Sequence, residues 1–80
     1  MDKPVVESRL ITIMRETFND PKLELRDDLT AADVEGWDSL THINLIVAVE
    51  SDFGIRLSTA DVRSLRNVGD FVNIIVTKAK

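Results

Sequence analysis

The sequence predicts an all-α fold: a small four-helix bundle with a long loop between helices 1 and 2 and a short third helix. Three observations predict it. Apolar residues recur at helical spacing in several segments. Capping residues stand at the heads of those segments. Nothing reads convincingly as a sheet, although the β-branched VNIIV and INLIV runs favour strand on propensity alone.

Asp2-Lys3-Pro4 is a helix start, with Pro in the first turn. Val6, Leu10, Ile13, Met14 and Phe18 then recur at helical spacing, and Asn19-Asp20-Pro21 ends the helix. Residues 20–38 form a connection that is long for a compact helical domain. Leu23, Leu25 and Leu29 are expected to pin it to the core, with one short helical turn over residues 30–34. A second helix is predicted from Ser39 to Ser51 or Asp52, with Phe53 as its last apolar anchor and Gly54 closing it. Ser58-Thr59-Ala60-Asp61 reads as a capping box for a short third helix. Asn67-Val68-Gly69-Asp70 reads as another, opening a last helix with Val68, Phe71, Val72, Ile75 and Val76 on one side.

Eighty residues are expected to form one domain, residues 1–80, with a thin core and little room for an enclosed active site. With 44% hydrophobic residues the chain has a folding composition. The absence of cysteine excludes disulfides and thiolate metal sites, and a single histidine leaves no zinc constellation. No apolar run approaches a membrane span, and the N-terminus lacks the apolar core of a signal peptide. A soluble, cytoplasmic monomer is expected. Residues 33–61 hold six acids against one base, a net charge of −5 within a total of −4. That concentration disfavours nucleic acid and anionic membranes and favours a basic protein partner, unless it is ordinary surface solubility.

Residues 36–40 read GWDSL, immediately before a long apolar run. Asp38 and Ser39 suit a helix cap, and Ser39 also suits an attachment point displayed at a helix head. On a helical wheel Leu45, Ile46, Val49 and Phe53 form one arc, the core face, with His42 at its margin. Leu40, Ile43 and Val47 form a second apolar stripe on the other side of Ser39. Either the bundle wraps this helix on two sides, or the stripe is a docking surface beside the serine.

Three further constellations suggest other chemistry. Asp38, Ser39 and His42 carry the chemical types of a hydrolase triad, but Asp38 is on the wrong side to orient the base, and GWDSL is not a nucleophile elbow. No catalytic residue and no metal ligand is assigned. Trp37 is expected to pack the long loop, with a partner contact as its functional alternative. Arg63 and Arg66 hint at a DNA-binding helix, but no basic recognition helix accompanies them.

The stretch GWDSLTHINLIVAVESDFGIRLS resembles the acyl carrier protein family, which includes peptidyl and D-alanyl carriers. The similarity extends over nearly the whole chain. The D-S-L tripeptide alone is weak; D-S-L followed by L-x-x-x-x-E-x-x-F-G-I at this spacing is strong. The resemblance implies that Ser39 carries 4′-phosphopantetheine, attached from coenzyme A by a phosphopantetheinyl transferase, and that Asp38 helps present it. Acyl or aminoacyl groups would then ride as thioesters on the arm's thiol, consistent with a chain that has no cysteine. The implied partners are that transferase, an acyl- or aminoacyl-loading ligase, and an acyltransferase or synthase.

Candidate docking residues are Trp37, Leu40, Ile43, Val47 and Glu50. A fold-back cavity between the second and third helices would be lined by Ile46, Leu57, Val62 and Leu65. Two departures point toward a stand-alone, specialised carrier. Thr41 and Asn44 stand where fatty-acid carriers usually have acids, and G-W-D-S-L replaces the common A-D-S-L. A peptidyl or aminoacyl carrier is the alternative within the family, and a helical adaptor without a prosthetic group is the alternative outside it.

Overall fold

The structure is a computed structural model and describes residues 1–79. Helix α1 spans Lys3–Thr17, α2 spans Ser39–Phe53, α3 spans Thr59–Arg63 and α4 spans Val68–Lys78. A single 3-10 turn, Ala31–Asp33, interrupts the long loop between α1 and α2. Among the described residues there is no strand, because packing on one core decides the β-branched runs in favour of helix.

Pro4 lies in the first turn of α1, where its missing N–H costs nothing. The helix ends at Phe18, and Asn19 follows in the left-handed region at φ 52°. The short turn is closed by a reciprocal pair. The Thr30 backbone N–H and hydroxyl both donate to Asp33 Oδ2 at 3.0 Å, and the Asp33 N–H donates to the Thr30 carbonyl at 3.0 Å. Helix α2 runs one to two residues further than expected and stops at Gly54, whose φ of 65° is the left-handed conformation that ends a helix without a Cβ penalty. The box at Ser58 and Asp61 heads α3 as expected.

The head of α4 is built differently from its expected box. Asn67 Oδ1 accepts from the Asp70 N–H at 2.9 Å, but Asp70 Oδ2 accepts from the Arg66 N–H at 3.0 Å instead of closing on Asn67. The first two amides of α4 are taken by the long loop. Val68 N–H donates to Leu29 O and Gly69 N–H to Asp27 O, both at 2.9 Å. This approach favours glycine at 69, since a Cβ there would stand 3.0 Å from Asp27 O, a tight contact that the loop would have to relieve by a small shift. Thus the loop is bolted to the start of α4 by the orphan donors of a helix terminus.

The core draws Val6, Leu10 and Met14 from α1, Leu45 and Val49 from α2, and Val68, Phe71, Val72 and Ile75 from α4, all essentially inaccessible. Leu29, Val34 and Trp37 from the loop join it, while Leu23 and Leu25 pack on its edge. Helix α3 contributes no fully buried residue; Val62 and the following Leu65 are only partly covered. One consequence positions the site: the loop that ends in Trp37 is anchored to the core, so the head of α2 is held in place.

Candidate functional site

Gly36 turns the chain at φ 86°, and Trp37 folds inward behind it. Its ring lies 5.3 Å from Phe18 and 6.4 Å from Phe71, centroid to centroid. Trp37 is therefore core packing, and at 8% exposure it has little surface to give a partner.

Asp38 is the N-cap of α2 in extended backbone geometry. Its Oδ1 accepts from the Thr41 N–H at 2.9 Å, and the Asp38 N–H donates to Thr41 Oγ1 at 2.8 Å. The Thr41 hydroxyl in turn reaches the Gly36 carbonyl at 2.7 Å. Thr41, read from sequence as a missing acid, is thus the reciprocal half of the cap. The signal was obscured because the usual residue there is Glu or Gln. The hydrogen bond from the Thr41 N–H holds the Asp38 carboxyl below its ordinary pKa; desolvation opposes it, and the Thr41 hydroxyl adds a smaller lowering.

With Asp38 as the cap, Ser39 is the first residue of the helix proper and is exposed. Its hydroxyl is not needed to finish the helix. A phosphate group fits this position, because free N–H groups and the dipole at a helix N-terminus favour anions. The nearest carboxylate is already turned to Thr41. A pantetheine arm would bring a thiol to a chain that has none.

His42 stands one turn along, half-buried, with its ring 6.1 Å from Trp37 and edge-on to Phe71 at 5.8 Å. The Trp37 indole Nε1–H donates to His42 Nδ1 at 3.1 Å. Burial lowers the His42 pKa from its ordinary value, so the imidazole is neutral at pH 7. This arrangement opposes a hydrolase. A general base needs an acceptor at its far nitrogen to stabilise the imidazolium, and here that nitrogen faces a donor. Neither the Trp37–His42 bond nor its five-residue spacing has a signature in sequence. Ala31, Trp37, Asp38, Ser39, His42 and Ile43 line one shallow pocket.

The two faces of α2 separate cleanly. Leu45, Ile46, Val49 and Phe53 are buried, whereas Leu40, Ile43 and Val47 are 68%, 58% and 57% exposed. The reading in which the bundle covers both faces does not apply. Acids in the acidic segment are largely engaged internally. Asp33 closes the 3-10 turn, and Glu50 Oε2 accepts from the Leu57 N–H at 2.9 Å. Asp52 pairs with Arg9 at 3.0 Å, and Asp61 pairs with Lys78 at 2.9 Å. Of the four cavity candidates, Ile46 is buried and Leu57, Val62 and Leu65 are half-buried, and none lines the pocket beside Ser39. Among the described residues no cluster of His, Cys, Asp and Glu could hold a metal ion.

Residues 8–75 match the family described as phosphopantetheine attachment site. This chain belongs to the acyl carrier protein family. An acyl carrier protein of Chloroherpeton thalassium is 39% identical over 59 residues, covering 74% of each chain. One from Thermotoga maritima is 30% identical over 71 residues, covering 89% of this chain and 88% of that one. The solution NMR structure of holo acyl carrier protein from Geobacter metallireducens superposes with a TM-score of 0.87 at 34% identity, covering 91% of this chain and 84% of that one. Membership makes the protein a carrier and not an enzyme, with 4′-phosphopantetheine as its prosthetic group. It also implies work with transferases and synthases. Among the described residues no helix is long and apolar enough to cross a membrane.

Proposed function

We propose that this carrier holds acyl groups on an arm attached at Ser39 and presents them through the exposed face of α2. One observation carries this reading: Ser39 is exposed at the head of α2 while Asp38 and Thr41 do all the capping. Asp38 then contributes by fixing the helix start from which Ser39 projects. An acyl cargo, over an aminoacyl one, is favoured by the relatives, which are named as acyl carrier proteins.

Leu40, Ile43 and Val47 form the docking stripe, supported by their exposure beside Ser39. Glu50 adds charge at the far end of α2, although one of its oxygens is committed to Leu57. Trp37 acts behind the surface, holding the loop. A long acyl chain that folds back would enter between α2 and α3, past Ile46, Leu57, Val62 and Leu65. The loose packing of α3 supports that route. The partners are a phosphopantetheinyl transferase that uses coenzyme A, an acyl-loading ligase, and an acyltransferase or synthase that takes the cargo. The chain acts as one domain, residues 1–80, monomeric and cytoplasmic.

Intact mass after incubation with coenzyme A and a broad-specificity transferase tests the reading. Wild type gains one phosphopantetheine group and Ser39→Ala gains none. Modification of the Ala variant contradicts it.

A further inference from the structure

The imidazole of His42 has a defined tautomer. An indole N–H only donates, so the 3.1 Å bond from Trp37 makes Nδ1 an acceptor and puts the ring proton on Nε2. The ring is held in that orientation by Trp37, nearly parallel at 23°, and by the edge of Phe71. Neither ring accepts the Nε2 proton as an ordinary hydrogen-bond acceptor would. Among the described residues Nδ1 alone of the two nitrogens has a hydrogen-bond partner, and no buried side-chain nitrogen lacks one. The Nε2–H therefore reaches solvent. His42 and Ser39, its neighbour at i−3 on the same helix, line one shallow pocket. The other polar group of that pocket, the Asp38 carboxylate, is turned to Thr41.

We infer that His42 is a positioning residue for the prosthetic arm: its Nε2–H donates to an anionic oxygen of the phosphodiester on Ser39. The inference rests on attachment at Ser39. It gives a chemical role to the neutral imidazole, since an N–H to phosphate bond is charge-assisted even when the ring itself carries no charge. It also links the arm to the core, because the same ring accepts from Trp37 on its other side.

The chain has one histidine and one tryptophan, so both partners give single, assignable NMR signals. The full chain is converted to the holo form, and intact mass confirms one group added. The His42 ring is then titrated in apo and holo protein. Its packing partners Trp37 and Phe71 carry no charge, and Asp38 stays ionised throughout this range. An anion at Nε2 favours the imidazolium, so the holo pKa should exceed the apo value by about half a unit or more.

Two variants divide the ring's roles. His42→Asn keeps an acceptor near Nδ1 for Trp37 but offers no donor at Nε2. His42→Gln keeps a donor near Nε2 but leaves Trp37 without its acceptor. The ³¹P resonance of the holo protein should move in the Asn variant and stay near wild type in the Gln variant, while the Trp37 indole signal does the reverse. Equal His42 pKa values in apo and mass-verified holo protein overturn the inference, as does a ³¹P resonance unmoved by Asn. Failure of wild type to gain the group overturns the attachment reading itself, and this inference with it.

Discussion

Truncating the exposed stripe of α2 should damage docking and leave folding intact. Leu40 is 68% exposed and Val47 57% exposed, so neither fills the core. Their replacement by Ala should change folding stability by no more than about 0.5 kcal/mol. Burying a whole Leu or Val side chain is worth ~1.5–3 kcal/mol. A partner that covers the two-thirds of Leu40 still open to water thus gains ~1–2 kcal/mol, a factor of ~5–30 in affinity. Leu45 on the opposite face is fully buried, and its replacement by Ala should cost ~2–5 kcal/mol of folding stability. Glu50→Gln removes a charge but keeps an oxygen to accept from the Leu57 N–H, so it isolates electrostatics. The assay is calorimetric affinity for one cognate partner, after thermal melts confirm that each variant folds. Leu40→Ala and Val47→Ala should weaken binding more than Glu50→Gln does. Raising salt should mainly slow association. If Glu50→Gln is the most damaging and both apolar variants bind like wild type, the reasoning is wrong.

Three further outcomes are expected. Gly54→Ala forces a Cβ into the left-handed region at φ 65° and should cost about 1–2 kcal/mol, read as a lower denaturation midpoint; an unchanged midpoint would show that the helix end relaxes. The His42 pKa is lowered in the folded state, so the unfolded chain binds more protons between the two pKa values. Stability should accordingly be full above His42's ordinary value of 6.5 and fall as pH drops through it toward the folded value; His42→Asn should flatten that part of the profile, which denaturant titrations at several pH values would measure. Neither wild type nor His42→Ala should hydrolyse simple esters above background, and both should still accept the prosthetic group; turnover lost in both Ser39→Ala and His42→Ala would restore the hydrolase reading.

The helices and the division of α2 into two faces were legible because they depend on spacing, which is local. Leu45, Val49 and Phe53 against Leu40, Ile43 and Val47 needs only a wheel. Gly54 and the box at Ser58 were legible for the same reason. What escaped the sequence depends on contacts between distant segments or on substitutes for usual residues. The pairing of Asp27 and Leu29 with Gly69 and Val68 joins positions about forty residues apart, so Gly69 read as part of a cap and not as a close approach. Thr41 completes a cap in place of an acid, and so read as a loss. The acidic segment carries −5, but sequence does not reveal that Asp52 faces Arg9 or Asp61 faces Lys78. The net charge of that segment therefore overstates the free negative charge it offers a partner.

The central claim is that the arm sits on Ser39, and fragmentation mass spectrometry of the modified protein tests it most directly. Trypsin should release residues 27–56, bounded by Arg26 and Arg56. That peptide holds four hydroxyls: Thr30, Ser39, Thr41 and Ser51. The exposed first position of α2 predicts the added group on Ser39 and on none of the other three. A group found on Thr41 or Ser51, or wild type left unmodified by several transferases, would contradict the account.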